Sequence, residues 1–210
     1  MGLISAGTTI FDAGTVNVGG ALTFIKKITA SSSSTISFVH GSSSVVFDGT
    51  YKEYLFTFKN MHPASNACDF MFQVSTNSGS SYGVSMTTTC FQAYHQEDDN
   101  PANLNFRTGS VNSLGNSTNF QSMSTADGIG NDNDQCLDGF LRIYNPADTT
   151  FVKHFMGNTT HYTNDNASMN TFVAGYINST SAVNAIQFKM DTGGSASNTD
   201  SGDICLYGIS

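Results

Sequence analysis

Hydrophobic and polar residues alternate along most of this chain, and the alternation breaks at clusters of Ser, Gly, Asn and Asp. A period of two places successive side chains on opposite faces of an extended backbone. Leu22–Thr29 reads as a first strand, stopped by Ser31–Ser34. Thr35–Val39 and Val45–Phe47 flank His40-Gly41-Ser-Ser-Ser44 as a hairpin. Tyr51–Phe58 sets Tyr54, Phe56 and Phe58 on one face, with Glu53, Leu55 and Thr57 on the other. Phe70, Phe72 and Val74 alternate next, and Asn77-Ser78-Gly79-Ser80-Ser81 turns the chain into Tyr82–Phe91. The pattern resumes at Leu137–Tyr144, where Phe140, Arg142 and Tyr144 oppose Leu141 and Ile143. Phe151–Met156, Thr171–Ile177, Ala185–Met190 and Asp203–Ile209 follow. Short strands at roughly 10–15-residue spacing predict an all-β fold, an antiparallel β-sandwich or jelly roll.

Two stretches depart from the alternation. Met1–Ala21 is rich in Gly, Thr and Ala, and it predicts an extended N-terminal arm ahead of a sandwich domain over 22–210. Gln92–Gln135 is polar, with isolated apolar residues such as Phe106 and Phe120. A structureless loop of that length does not suit a compact domain. The expectation is an insertion with short hairpins near Asn103–Thr108 and Thr118–Met123, projecting from the sandwich. A faint echo links Asp48-Gly49 with Asp138-Gly139, each ahead of an aromatic strand that ends at a Pro. Equivalent strands in two facing sheets would explain it, and so would chance, because such turn dipeptides are common.

Composition sharpens the β reading. The chain has 8 Leu and 2 Glu against 16 Phe, 27 Ser and 24 Thr. Helix formers are thus scarce, while aromatic and β-branched residues that suit a pleated surface are abundant. Net charge is −8, and the 8 Lys and Arg cluster nowhere beyond Lys26-Lys27. That argues against nucleic acid and against anionic membrane surfaces as partners. No apolar run reaches the ~18–20 residues that cross a bilayer, so no membrane insertion is expected. Met1–Ala21 lacks a basic start and a continuous apolar stretch, so it does not read as a secretory signal. Cys68, Cys90, Cys136 and Cys205 are far apart, and reduced thiols in a protein made in the cytoplasm are expected.

The best metal candidate is the acidic stretch from Asp127 to Asp138. Asp127, Asp132, Asp134 and Asp138 are oxygen donors of the kind calcium prefers, although their spacing does not follow the EF-hand. A solvated acidic loop is the alternative, and no other cofactor is expected. His95-Gln-Glu97-Asp98-Asp99 sets a His beside three carboxylates, but neighbours on an extended segment point apart. Gly83-Val84-Ser85-Met86-Thr87 lacks the last Gly of a nucleophile elbow. Glu53 and Glu97 are the only glutamates, and Glu53 lies inside a strand, which weakens a glycosidase reading. His154 and His161 read as ordinary surface or hydrogen-bonded histidines, and most tyrosines as core or sheet-face residues. No catalytic residue is therefore assigned, and the expected protein is not an enzyme.

Four segments carry a likeness to a known family. These are Ala21-Leu-Thr-Phe-Ile-Lys-Lys-Ile28, Phe47-Asp-Gly-Thr-Tyr-Lys-Glu-Tyr-Leu-Phe-Thr-Phe58, Val74-Ser-Thr-Asn-Ser-Gly-Ser-Ser-Tyr82 and Gly202-Asp-Ile-Cys-Leu-Tyr-Gly-Ile209. Together they resemble virion structural proteins of tailed bacteriophages, particularly phages of marine bacteria and cyanobacteria. The resemblance implies a β-sandwich made in the host cytoplasm and assembled onto the virion, and does not separate a head decoration protein from a tail or fibre component; a capsid decoration or head-fibre subunit is the leading expectation. Its expected partners are other virion proteins, either the major capsid protein or tail components, and further copies of itself in a homo-oligomer. A tail fibre that binds a host receptor or surface glycan is the alternative, and a carbohydrate-active hydrolase a more distant one. The resemblance brings no catalytic residues with it.

Overall fold

In a computed structural model, residues 3–5, 8–12 and 15–16 are described as strands, and residues 21–124 and 128–210 are described throughout. The all-β expectation holds: the described residues form strands and connecting turns, with no helix among them. Leu3–Ser5 (β1), Thr8–Asp12 (β2) and Thr15–Val16 (β3) pair antiparallel as a small meander. The predicted arm thus carries strand pairing of its own. Its remaining residues up to 20 lie outside the described set.

The larger sheet has eight strands. They are Leu22–Thr29 (β4), Glu53–Pro63 (β6), Met86–Gln96 (β8), Ala102–Phe106 (β9), Leu137–Tyr144 (β11), Lys153–Tyr162 (β12), Ala167–Ile177 (β13) and Thr199–Ile209 (β16). Their spatial order is β4-β16-β6-β11-β12-β13-β8-β9, so β4 and β9 are the open edges. The smaller sheet contains Ile36–Val39 (β5), Asp69–Ser75 (β7), Gln121–Ser122 (β10), Ala185–Asp191 (β14) and Ala196–Ser197 (β15), in the order β10-β7-β14-β15 with β5 also on β14. The two sheets share one core, built from the alternate residues that the period-two pattern assigned inward.

Phenylalanine fills the space that leucine fills elsewhere. Phe188 of β14 lies 5.4 Å from Phe56, 5.3 Å from Phe58 and 5.6 Å from Phe70, ring centre to ring centre. Phe58 and Phe56 come from the large sheet and Phe70 from the small one, so this cluster joins the layers. Edge-to-face and offset pairs of this kind add roughly 0.5–1.5 kcal/mol each beyond area burial. Cys68 and Cys90 are buried free thiols, whereas Cys136 and Cys205 are half-buried free thiols. Burial raises both buried thiols, and it pushes Cys90 up to about 12.

The 92–135 insertion does not project. Its first part is the β8–β9 hairpin, which extends the large sheet. Residues 107–124 then fold back across one side of the sandwich. Leu114 N–H donates to the Thr88 hydroxyl and the Gln73 amide donates to the Thr118 and Asn119 carbonyls. Met123 N–H donates to the Phe70 carbonyl, and Leu114 and Met123 are buried. Side-chain amides and hydroxyls meet the backbone groups here that a regular ladder would otherwise satisfy, so a polar sequence packs.

The Asp-Gly echo also resolves differently. The two aromatic strands that follow the dipeptides, β6 and β11, are antiparallel neighbours in one sheet. Gly139 sits at a register shift in that pairing with φ +151, and a Cβ there would lie 2.3 Å from the Asn158 carbonyl oxygen. The glycine is required by this bulge, whatever its likeness to Gly49.

Candidate functional site

Two surfaces stand out from the fold, one polar and one apolar. The polar one is a groove of about 530 Å³ at one end of the large sheet. β8 contributes His95 and Gln96, with Glu97 just beyond it; the approach to β11 contributes Asp134 and Cys136; and β11, β12 and β13 contribute Asp138, Tyr162 and Ser168. Antiparallel register brings these together, since Ser168 pairs with His95 and with Tyr162, and the Tyr162 N–H donates to the Cys136 carbonyl.

The groove gathers parts of two acidic segments that read separately in the sequence. Asp134 and Asp138 line it, as do His95 and Glu97. Asp132 is placed apart: its carbonyl lies 3.2 Å from His62 Nε2, and its side chain is not among the lining groups. Asp127 lies outside the described residues. The turn after β8 does fold His95 onto Asp99, Nε2 to Oδ1 2.8 Å, whereas Glu97 accepts a hydrogen bond of 2.9 Å from the Tyr162 hydroxyl. Among the described residues, no three His, Cys, Asp or Glu side chains converge as a metal site would require.

Two hydroxyl- and thiol-bearing groups of the groove are held in their neutral forms. The Asp138 carboxylate accepts from the Asn60 N–H at 2.9 Å and faces the Cys136 thiol at 3.7 Å. Burial first, and then the Asp138 charge, hold the Cys136 thiol above its ordinary range. It is therefore a thiol at neutral pH and a poor nucleophile. The hydrogen bond to Glu97 likewise raises the Tyr162 hydroxyl, which stays a neutral donor. What the groove offers is a set of hydroxyl, carboxylate and imidazole groups beside one aromatic ring.

His161 corrects the expectation of a surface or hydrogen-bonded histidine. It is only 4% exposed, and neither ring nitrogen has a hydrogen-bond partner among the described residues. It falls on the inward set of β12 with Phe155 and Thr159, and desolvation alone pushes it down to about 3. His154, on the other face, is exposed and rests edge-on against Tyr176.

The apolar surface is the outer face of the large sheet. Phe140, Asn158, Phe172, Phe91 and Phe106 are consecutive cross-strand partners on β11, β12, β13, β8 and β9. Phe91 and Phe172 stack at 4.8 Å with an interplanar angle of 8°. Beside them Met156, Ala174 and Thr89 line a recess of about 230 Å³. The alternation marks the strands but not this row, because its members are scattered from position 91 to position 172 and meet only through register. The available signal was an apolar residue on the supposedly solvent side of several strands at once.

No protein family, curated protein or solved structure matches this chain.

Proposed function

We propose that this chain is a non-enzymatic structural subunit of a tailed-phage virion, displayed on the particle as a capsid decoration or head-fibre component. The observation that carries the reading is the exposed row of phenylalanines on a sheet face. A sheet normally turns its apolar side to the core and leaves the other side polar. Here the outward side carries an apolar strip as well, across β11, β13, β8 and β9, which is what a subunit that packs against neighbours requires. The likeness of segments 21–28, 47–58, 74–82 and 202–209 to virion proteins supports the particle, and the protonated Cys136 thiol supports a passive role. Quantitative mass spectrometry of purified particles tests this. Hundreds of copies per virion fit a head lattice, a dozen or fewer fit the tail, and absence from the particle overturns the proposal.

The polar groove favours a second reading, recognition of a host surface glycan. Glu97, Asp134 and Ser168 provide hydrogen-bonding groups, and Tyr162 an aromatic face, within one concavity. Glycan-array binding that is lost in Tyr162→Ala and Asp134→Ala, with the fold intact, would favour this reading and a tail position.

A further inference from the structure

We infer that the outer face of the eight-stranded sheet docks a second copy of this chain, about a two-fold axis along the line Phe140–Asn158–Phe172–Phe91–Phe106. The inference rests on the building-block reading and names the partner.

The area is of the right order. Phe91 and Phe172 are each 41% exposed, Met156 46%, Phe106 62% and Leu104 67%. At roughly 150–250 Å² for each large side chain, these five leave on the order of 500 Å² of apolar surface in water. A standard interface buries about 800 Å² per partner. Ala174, Thr89 and Tyr176, which line the adjoining recesses, extend the face in that direction.

Charge selects the partner. The chain carries a net charge of −8, so two copies repel on average. The phenylalanine row itself carries no charge. Along β11, Phe140 lies between Asp138 on one side of the row and Arg142 on the other, all three on the same face. Rotation by half a turn about the row exchanges its two sides while each strand stays over its counterpart. Arg142 of one copy then faces Asp138 of the second copy, and the symmetry repeats the pair. Arg142 already donates to Glu53 through Nη1, and its guanidinium has further N–H groups to offer. A face whose anion and cation are exchanged by the axis of its own apolar strip matches a copy of itself better than it matches an unrelated surface.

Sedimentation equilibrium of the full chain tests this. The expected result is a dimer that dissociates in roughly the micromolar range. Phe172→Asp should weaken it by at least about tenfold, without change in circular dichroism or melting. If that variant does not fold, Phe106→Asp on the edge strand serves in its place. Arg142→Asp and Asp138→Arg should each weaken the dimer about tenfold, and the double swap should restore it to within about threefold. A wild-type chain that is monomeric at about 100 μM overturns the inference. So does a dimer indifferent to Phe172→Asp or Phe106→Asp, or a double swap no tighter than the single variants. A monomer whose particle occupancy nevertheless falls in Phe172→Asp removes the second copy as partner and leaves the structural role standing. A dimer in a protein missing from purified particles does the reverse.

Discussion

His161 enters the core without a hydrogen-bond partner among the described residues, and Asp69, partly buried at the start of β7, is pushed up to about 6, chiefly by desolvation. The two groups act oppositely on stability. Between about pH 6.5 and 3 the unfolded chain binds a proton at His161 that the folded chain refuses, so acidification costs stability. Between about pH 6 and 4 the folded chain holds a proton on Asp69 that the unfolded chain has lost, so acidification adds stability. In that shared window the contributions offset each other. His161→Leu should therefore make the urea midpoint rise from about pH 6 to pH 4, and Asp69→Asn should make it fall. Equal slopes in the two variants would refute the assignment. At the same scale Phe188→Ala, which removes the ring shared by both sheets, should cost about 3–5 kcal/mol in denaturant unfolding. Phe188→Leu should cost less than half of that, since it leaves a smaller void.

Among the elements, β11 is the one on which most features depend. It pairs with β6 and β12, and it carries Leu141 and Ile143 inward and Phe140 outward. It begins at the polar groove. At Gly139 its pairing with β6 shifts register, the extra residue lying on β6 between Phe58 and Met61. Gly139→Ala puts a methyl against the Asn158 carbonyl at a φ that L-residues avoid. It should destabilise by about 1–3 kcal/mol, read as a fall in Tm of roughly 2–4 °C per kcal/mol. An unchanged Tm would mean that the bulge relaxes without strain. Strands such as β6 and β11 were legible from the sequence because one buried face imposes a strict period of two. Residues 107–124 were not, because Leu114, Gln121 and Met123 are held by scattered backbone and side-chain hydrogen bonds that leave no periodic trace. The groove is half legible: its acidic residues stand out in the sequence, but His95 and Asp138, 43 positions apart, become neighbours only once β8, β13, β12 and β11 are aligned.

For the molecule as a whole, the consequence of a layered β architecture is that its surface is decided by register. The phenylalanine row and the groove lie on the same sheet and meet at Asp138, which lines the groove and faces Arg142 of the second copy in the proposed dimer. The dimer contact and a groove-bound glycan thus share Asp138, and a single particle protein can be tested for both. The open edges differ as well. β4 carries Lys26 and Lys27, which discourage further strand pairing, whereas β9 carries no charge.

The free cysteines have one more use. Cys68 and Cys90 are sealed in the interior with their thiols held protonated, while Cys136 and Cys205 reach the solvent in part. Under native conditions a thiol-specific dye should therefore modify two sites first and two only when the sandwich opens. The slow phase would be a built-in clock for that opening, readable by the mass each label adds, and it should quicken in Phe188→Ala.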